Sequence, residues 1–301
     1  MIPQYWNEFQ DFHLNPVIEP PRFEWLIADP TVLTPSETPD GKWRLWANSL
    51  RGIHHYLSDD GYGWEKAQEG PLFGGLRPFV RREGDDFYMF WERFKSARCS
   101  VVAVRKSHDL YNWSDPVDLL EPCFHWEGKY FRTNGNPCLL KGQFGYRLYY
   151  SAATVFLWDC LFPEPRFIGV AESDSIMGPY RKRPEPILSP SPDLPYRNFG
   201  AGAIKVYLDQ GNFVGLNNGI YKDKRGHSRS AIMLLKSEDG LNWEQAKNEP
   251  ILKPEPFSWK RAFVYQLDVV RYKNELRLYY NARDGWFIGR ECIGVAVSQI
   301  E

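Results

Sequence analysis

Apolar runs of strand length recur along the chain, and each recurring unit ends in a serine followed by a polar turn. The turns read SDDGYGW at 58–64, SHDLYNW at 107–113, SDSIMGPY at 173–180, SEDGLNW at 237–243 and SQIE at 298–301. Successive serines are 49, 66, 64 and 61 residues apart, so one unit recurs with insertions of variable length. A repeat of this size that is rich in short strands indicates a β-propeller.

Within each unit, a run of alternating apolar and polar positions rich in aromatic residues follows a turn signal. These runs are KWRLW at 42–46, FYMFW at 87–91, YRLYY at 146–150, NFVGL at 212–216 and ELRLYY at 275–280. Alternation with period two and aromatic enrichment are typical of strands, and no helical periodicity competes. We therefore predict an all-β fold, a five-bladed β-propeller with four-stranded antiparallel blades around a central axis.

Radial repeats share one axis, so residues 1–301 are predicted to form a single domain. The predicted blades are roughly 8–65, 66–115, 116–182, 183–245 and 246–301. The last blade ends just after its serine and lacks an outer strand. We expect the N-terminal segment 1–8, which carries Trp6, to pair with that blade and so remove two exposed edges.

The amino-acid composition of the chain limits the kinds of binding partner that we expect. Lys and Arg number 37 against 38 Asp and Glu, and no basic stripe is interleaved with aromatic residues, which argues against nucleic acid. The N-terminus lacks a secretory signal pattern and no apolar run approaches the roughly 18 residues of a membrane span, so we expect a cytoplasmic protein without a membrane partner. The five cysteines lack metal-site spacing and indicate free thiols. We predict no metal and no cofactor, and leave the oligomeric state open.

Aromatic residues make up 16% of the chain, and their rings suit both packing between blades and the faces of sugars. Most of them are expected to pack between blades. The tryptophans that close the polar turns, Trp64, Trp113 and Trp243, are predicted to occupy equivalent outer positions. Their turns resemble the aspartate boxes of sialidases, which are structural.

Polar residues gather at one end of the predicted propeller. The start of the innermost strand and the end of the second strand of a blade lie at the same end, so both face one axial funnel. Inner strands are predicted to begin at Asp29, Arg77 and Asn136, and the second strand of blade two to end at Glu92. A pocket for hydroxyl-rich ligands needs such convergent groups. Asp29 leads the set as the sole charge in the apolar run 25–33, with a turn or capping role as its alternative.

Three segments carry a resemblance to a known family: ADP at 28–30, NPVI at 15–18 and IGVAESDSIMGPY at 168–180. With the five-fold pattern, they resemble the five-bladed glycoside hydrolases of the arabinanase and β-xylosidase family (family 43) and its invertase-like relatives. The resemblance implies a small carbohydrate ligand and an inverting reaction in which Asp29 is the general base on water. The second aspartate and the acidic glutamate of the family have no counterpart at the starts of the following blades.

Glu92 is our candidate for the missing general acid. It is predicted to end a strand at the funnel beside Trp91 and Phe94, which would desolvate the carboxyl group and raise its pKa. The alternative is a rim residue paired with Arg93.

Asp284 and Asp268 are candidates for a third carboxylate at the funnel. Asp284 stands at the end of the second strand of blade five, and Asp268 at the start of the inner strand of that blade. For Asp268 the alternative is a structural ion pair with Arg271 or Arg277.

The predicted substrate-binding residues share the funnel end of the propeller: Arg77, Asn136, Trp91, His54, Asn217 and Arg283. Arg77 would bind a carboxylated sugar or phosphate, or hold Asp29 or Glu92 ionised. The alternative for His54 is that it and the neighbouring His55 are surface residues that do not contact a substrate. Beside hydrolysis, two functions stay open: a non-catalytic carbohydrate- or protein-binding propeller, and a phosphate-dependent glycoside phosphorylase.

Overall fold

The alternating apolar runs of the sequence form strands. The structure, a computed structural model, describes residues 2–300, and within them the regular elements are strands and two 3-10 turns, Gln4–Trp6 and His125–Glu127. In chain order the strands are β1 (Gln10–Asp11), β2 (Ala28–Leu33), β3 (Trp43–Ser49), β4 (Gly52–Ser58), β5 (Glu65–Lys66), β6 (Leu76–Glu83), β7 (Asp86–Ser96), β8 (Cys99–Ser107), β9 (Val117–Leu120), β10 (Arg132–Gly142), β11 (Gly145–Leu157), β12 (Phe162–Ser173), β13 (Arg181–Lys182), β14 (Ile204–Asp209), β15 (Asn212–Lys222), β16 (Ser228–Ser237), β17 (Glu244–Gln245), β18 (Phe263–Tyr272), β19 (Glu275–Arg283) and β20 (Glu291–Gln299). The predicted all-β fold class is confirmed.

Consecutive strands pair antiparallel in groups of four, because short turns join neighbouring strands. The groups are β2 to β5, β6 to β9, β10 to β13, β14 to β17, and β18 to β20 with β1 as the outer strand. The aromatic runs picked out in the sequence lie in the second strands β3, β7, β11, β15 and β19. This arrangement is propeller-like.

The first strand of each group lies innermost. Strand β2 contacts β18 and β6, and β10 contacts β6 and β14. Between β14 and β18, the Tyr207 hydroxyl lies 3.2 Å from Asp268 and accepts from the Val269 N–H at 2.8 Å. Trp43 and Trp46 of the second strand β3 are fully buried in apolar clusters that also include residues of the inner strands β2, β6 and β18. The inner strands therefore converge, which brings their first residues together.

The N-terminal segment differs in detail from the predicted strand over 1–8. The residues that pair with β20 are Gln10 and Asp11, while Gln4–Trp6 forms a 3-10 turn. Trp6 is buried because its indole packs on Tyr207 and donates to Asp209 at 2.7 Å, and this anchoring takes the segment out of the sheet. Met1 and Glu301 lie outside the described residues. Within residues 2–300, no helix is long and apolar enough to cross a membrane.

The serine turns are held by their own side chains. At 107–113 the Ser107 hydroxyl accepts from the Leu110 N–H at 2.9 Å, and the Asp109 carboxylate accepts from the N–H groups of Tyr111 and Asn112. These hydrogen bonds lower the pKa of Asp109. The same bonds recur at 58–63 and 237–242. The three closing tryptophans are half-buried against core clusters, as expected for structural residues.

Candidate functional site

Three inner strands contain a residue in the left-handed conformation, which is the second residue of β2 and of β6 but the fifth of β10, since β10 begins at Arg132 and not at Asn136. Asp29, Arg77 and Asn136 have φ values of 55°, 60° and 48°, and each precedes a proline. At each of them the pairing with the second strand is interrupted by a bulge. A bulge re-aims a side chain out of the strand alternation. All three residues consequently line one cavity, as the sequence predicts.

Asparagines near the ends of second strands hold two of these bulges. The Oδ1 of Asn48 accepts from the Arg77 N–H at 2.5 Å, and the Oδ1 of Asn281 accepts from the Asp29 N–H at 3.1 Å. Each of these bonds joins one group of strands to the first residues of the next group. They satisfy amides that the interrupted ladder leaves unpaired, and they fix a backbone conformation that non-glycine residues rarely adopt.

The cavity that these elements enclose has a volume of about 70 Å³ and is named here the polar cavity. It lies where the inner strands meet. Its lining in residues 2–300 contains three acids and one cation, and the polar members are Asp29, Asn48, Arg77, Asn136, Glu164, Asn218, Tyr265, Gln266, Asn281 and Glu291. Such a density of carboxylates and amides suits a ligand with many hydroxyl groups.

Charges in the polar cavity are strongly coupled. Burial raises the pKa of Asp29, although Arg77 and Lys205 oppose that rise. Burial disfavours the charge on Arg77, but the carboxylates of Glu92, Asp29 and Glu164 outweigh it and raise the pKa of the guanidinium. Arg77 therefore stays a cation at any pH at which the protein functions.

Glu164 lies on the extended hairpin of β11 and β12, opposite Val155. The side chain is buried, and this burial raises its pKa to about 8. Arg77 opposes the rise, whereas repulsion from Glu291 and Asp29 adds to it. A carboxyl group with this pKa carries a proton at pH 7.

Glu291 begins β20, and its backbone also bridges to Leu26. Burial raises its pKa to about 7, against the attraction of Arg283 and a hydrogen bond donated by the Asn281 amide. Two buried carboxyl groups with raised pKa values in one cleft mark a functional-site candidate.

Neither glutamate is among the residues predicted from the sequence, because those residues come only from the starts of first strands and the ends of second strands. Glu164 and Glu291 enter the cavity from third strands. A signal was available: each is an acidic residue just before the matched runs IGVA at 168–171 and IGVA at 293–296. The segment 152–166 forms the end of the β11–β12 hairpin, and this hairpin carries Glu164 to the cavity.

A second cavity, named here the vestibule, adjoins the polar cavity and has a volume of about 550 Å³. The two share the side chains of Arg77, Asn136 and Glu164. The large apolar side chains of the vestibule wall are phenylalanines and leucines: Leu50, Leu76, Phe94, Phe131, Phe156 and Phe162. Further polar members of the wall are Glu92, Thr133, Ser151 and Thr154. Glu164 thus lies at the boundary between a polar and an apolar compartment.

Glu92 lies at the vestibule, at the end of β7. Its carboxylate is buried, pairs with Arg77 at 2.5 Å and accepts from the Ser100 hydroxyl at 2.7 Å. Arg93, the alternative partner considered from the sequence, instead pairs with Asp118 at 2.7 Å. Both carboxylate oxygens of Glu92 therefore have protein partners.

The two further carboxylates predicted from the sequence lie outside the polar cavity. Asp268 is fully buried among the inner strands and forms a two-pronged ion pair with Arg81 at 3.0 and 3.1 Å, not with Arg271 or Arg277. Burial opposes its ionisation, but Arg81 and the hydrogen bonds it accepts lower its pKa. Asp284 accepts from the Arg290 N–H at 2.7 Å and closes the loop before β20. Both oxygens of Asp268 are bound within the fold, whereas Asp284 uses one oxygen to hold its loop.

Two predicted binding residues are packed inside the sheets. Trp91 is buried in an apolar cluster with Trp46, because strand alternation turns it away from the cavity on which Glu92 opens. His54 is buried on β4, where its Nε2 lies 2.9 Å from the Ser49 hydroxyl, and burial lowers its pKa. Neither side chain lines the polar cavity or the vestibule.

Asn217 and Arg283 also lie behind the site. The Asn217 amide donates to the carbonyls of Ala201 and Ala203 at 2.7 Å each, so it braces the start of β14 while its neighbour Asn218 faces the cavity. Arg283 is buried and acts on the cavity through its charge, which opposes the rise in the pKa of Glu291.

Comparisons with known proteins identify the fold. No protein-family model matches the sequence, and no curated protein matches it. Solved structures do match. A glycosyl hydrolase from Bacteroides ovatus has a TM-score of 0.71 at 16% identity, covering 98% of this chain and 95% of its own. A thermostable family-43 glycoside hydrolase has a TM-score of 0.67 at 16% identity, covering 89% and 88%.

A third structure, the β-1,2-mannobiose phosphorylase from Listeria innocua in complex with β-1,2-mannobiose, has a TM-score of 0.68 at 14% identity, covering 97% of both chains. The resemblance to family-43 enzymes that the sequence suggested is thus confirmed at the level of the fold. Because a fold hosts more than one chemistry, activity must be argued from the site.

Proposed function

We propose that this chain is a glycoside hydrolase that cleaves small glycosides or oligosaccharides with inversion. We further propose that the five groups of four strands are the blades of one propeller spanning 1–301. The inner strands contact one another in the order β18, β2, β6, β10 and β14, and the hydrogen bonds of Tyr207 link β14 back to β18, which supports that architecture. The observation that carries the function is the polar cavity itself, in which Asp29, Glu164 and Glu291 surround Arg77 where the inner strands meet.

Glu164 is the general acid in this proposal. A general acid must hold a proton at the working pH and stand beside the leaving oxygen. The raised pKa of Glu164, about 8, meets the first condition. Its place between the polar cavity and the vestibule meets the second, because the bond to be cleaved joins a sugar in one compartment to a leaving group in the other.

Asp29 is the general base, as the family resemblance implies. Its carboxylate takes a proton from water as the water oxygen forms a bond to the anomeric carbon. The bond from that carbon to the leaving oxygen breaks, and Glu164 delivers its proton to the departing oxygen. Attack by water on the face opposite the leaving group inverts the anomeric centre.

Glu92 is assigned a positioning role. Because its two oxygens are held by Arg77 and Ser100, it keeps the guanidinium at the wall shared by the two cavities. Arg77 in turn opposes the rise in the pKa of Asp29 and so favours the ionised base. This assignment moves the acid role from Glu92 to Glu164.

A panel of nitrophenyl and methyl glycosides, assayed with wild-type protein and with Glu164→Gln, tests the proposal. We expect at least one glycoside to be hydrolysed and kcat/KM to fall above pH about 8, as Glu164 loses its proton. Glu164→Gln should slow methyl glycosides far more than nitrophenyl glycosides, whose departure needs little protonation. Equal losses on both would remove Glu164 from the acid role.

Phosphorolysis is the second candidate, and Arg77 is the observation that favours it. A guanidinium at the cavity wall is the group that binds phosphate most specifically. The ion pair with Glu92 competes for it, so hydrolysis is the primary proposal. Running the same panel with inorganic phosphate separates the two, since phosphorolysis yields a sugar phosphate. Sugar binding without turnover, both with and without phosphate, would favour the hypothesis of a non-catalytic carbohydrate-binding propeller.

A further inference from the structure

The vestibule wall differs from that expected of a subsite for a second sugar. Its aromatic side chains are all phenylalanines, which offer no hydrogen-bonding group. Phe94, Phe131 and Phe156 leave 50%, 53% and 38% of their surfaces exposed, so apolar ring area is uncovered around the cavity. Sugar hydroxyls buried against these exposed rings would lose water without gaining partners, which costs free energy.

The vestibule is also continuous with the candidate catalytic site. Leu50, Leu76 and Phe162 line both compartments, and Glu164 stands at their junction. If the sugar occupies the polar cavity, the group attached to its anomeric oxygen leaves past Glu164 into the space bounded by Phe131 and Phe156. The vestibule is therefore the only one of the two compartments with room and chemistry for an apolar leaving group.

We propose that the vestibule binds an apolar aglycone, so that the substrates are glycosides of aromatic or aliphatic alcohols rather than sugar chains. This inference rests on the proposed glycoside hydrolase function. It follows from three observations together: the phenylalanine and leucine side chains in the wall, their exposure, and the continuity of the vestibule with the polar cavity.

The test compares octyl with methyl glycosides of whichever sugar the panel identifies. Both leaving groups are simple alkoxides of similar basicity, so their ratio of kcat/KM reports apolar binding and not leaving-group activation. We expect the octyl glycoside to be favoured by about tenfold or more, given the apolar area it buries. A ratio near one would overturn the proposal.

Two variants and a matched control locate the effect. Phe131→Ser and Phe156→Ser should lower the octyl-to-methyl ratio, because each removes a ring from the vestibule wall. Phe23→Ser should leave the ratio unchanged, since Phe23 is 84% exposed and lines neither compartment. An unchanged ratio in both vestibule variants would contradict the assignment.

A binding measurement separates this inference from hydrolysis itself. Titration with 1-naphthol, followed by its fluorescence, should show saturable binding that Phe131→Ser weakens and Phe23→Ser does not. Binding without turnover of any glycoside would refute hydrolysis while supporting an apolar ligand. Turnover without naphthol binding would refute the aglycone. Concentration-dependent dimerisation that Phe131→Ser abolishes, measured by analytical ultracentrifugation, would assign the apolar wall to a second copy and also overturn the proposal.

Discussion

Glu164→Gln should stabilise the protein at alkaline pH while removing its activity. Folding raises the pKa of this carboxyl group from 4.5 to about 8, so the folded state holds a proton that the unfolded chain has released. Stability contributed by that proton is complete below pH about 4.5 and is lost as the pH rises through about 8. Glutamine keeps the shape of the neutral acid and cannot ionise, so its contribution does not change with pH.

The magnitude follows from the pKa difference. Each pKa unit corresponds to about 1.36 kcal/mol, so ionising Glu164 sets an upper bound of about 4 kcal/mol on the change between pH 5 and pH 9. Water entry and side-chain relaxation on ionisation reduce this value. We therefore expect the free energy of unfolding of Glu164→Gln, minus that of wild type, to rise by about 2 kcal/mol from pH 5 to pH 9.

Urea unfolding of wild type and Glu164→Gln at pH 5, 7 and 9 measures the gain. Glu172→Gln is the matched control, because Glu172 lies on the same strand, is half-exposed and pairs with Arg147 at 2.8 Å. It should show no gain that grows with pH. If the stability difference between Glu164→Gln and wild type were the same at pH 5 and pH 9, the argument that burial keeps Glu164 protonated would be refuted.

Three further predictions concern the general base Asp29, the buried ion pair between Asp268 and Arg81, and the serine turns. Asp29→Asn should lower kcat/KM by about 10² to 10⁴ while far-UV circular dichroism stays unchanged, since the amide cannot take a proton; undiminished turnover would remove Asp29 from the base role. Asp268→Asn should cost about 3 kcal/mol of stability by thermal or urea unfolding, because it leaves Arg81 without its buried counter-charge, and a neutral effect would show that the pair is dispensable. Trp113→Ala should cost about 2 kcal/mol, less than a fully buried tryptophan, and a stable variant with weakened sugar binding would reverse its structural assignment.

The all-β fold was predictable because it depends on patterns that repeat. Period-two alternation and the serine turns identified the second strands, and the turn hydrogen bonds at Ser107 and Asp109 follow directly from residue type. The convergence of Asp29, Arg77 and Asn136 was also predictable, since equivalent positions of a repeat occupy equivalent places.

The remaining site residues depended on details that alternation does not encode. Glu164 reaches the cavity because β11 and β12 continue to pair with each other beyond the N-terminal end of β10, and period-two alternation does not show how far two strands extend. Asp268 pairs with Arg81, 187 positions away, and such a contact follows from the order of inner strands and not from local spacing. Trp91 and Glu92 were predicted to face the site together, but neighbouring residues of a strand point to opposite faces.

The central claim is that Asp29 and Glu164 cleave a glycosidic bond by direct attack of water. Proton NMR of the first sugar released from a hydrolysed glycoside tests this most directly, because the anomers are resolved before they equilibrate. The inverted anomer should appear first, and Asp29→Asn should release none at a comparable rate. Initial formation of the retained anomer, or no release of sugar from any glycoside tested, would contradict it.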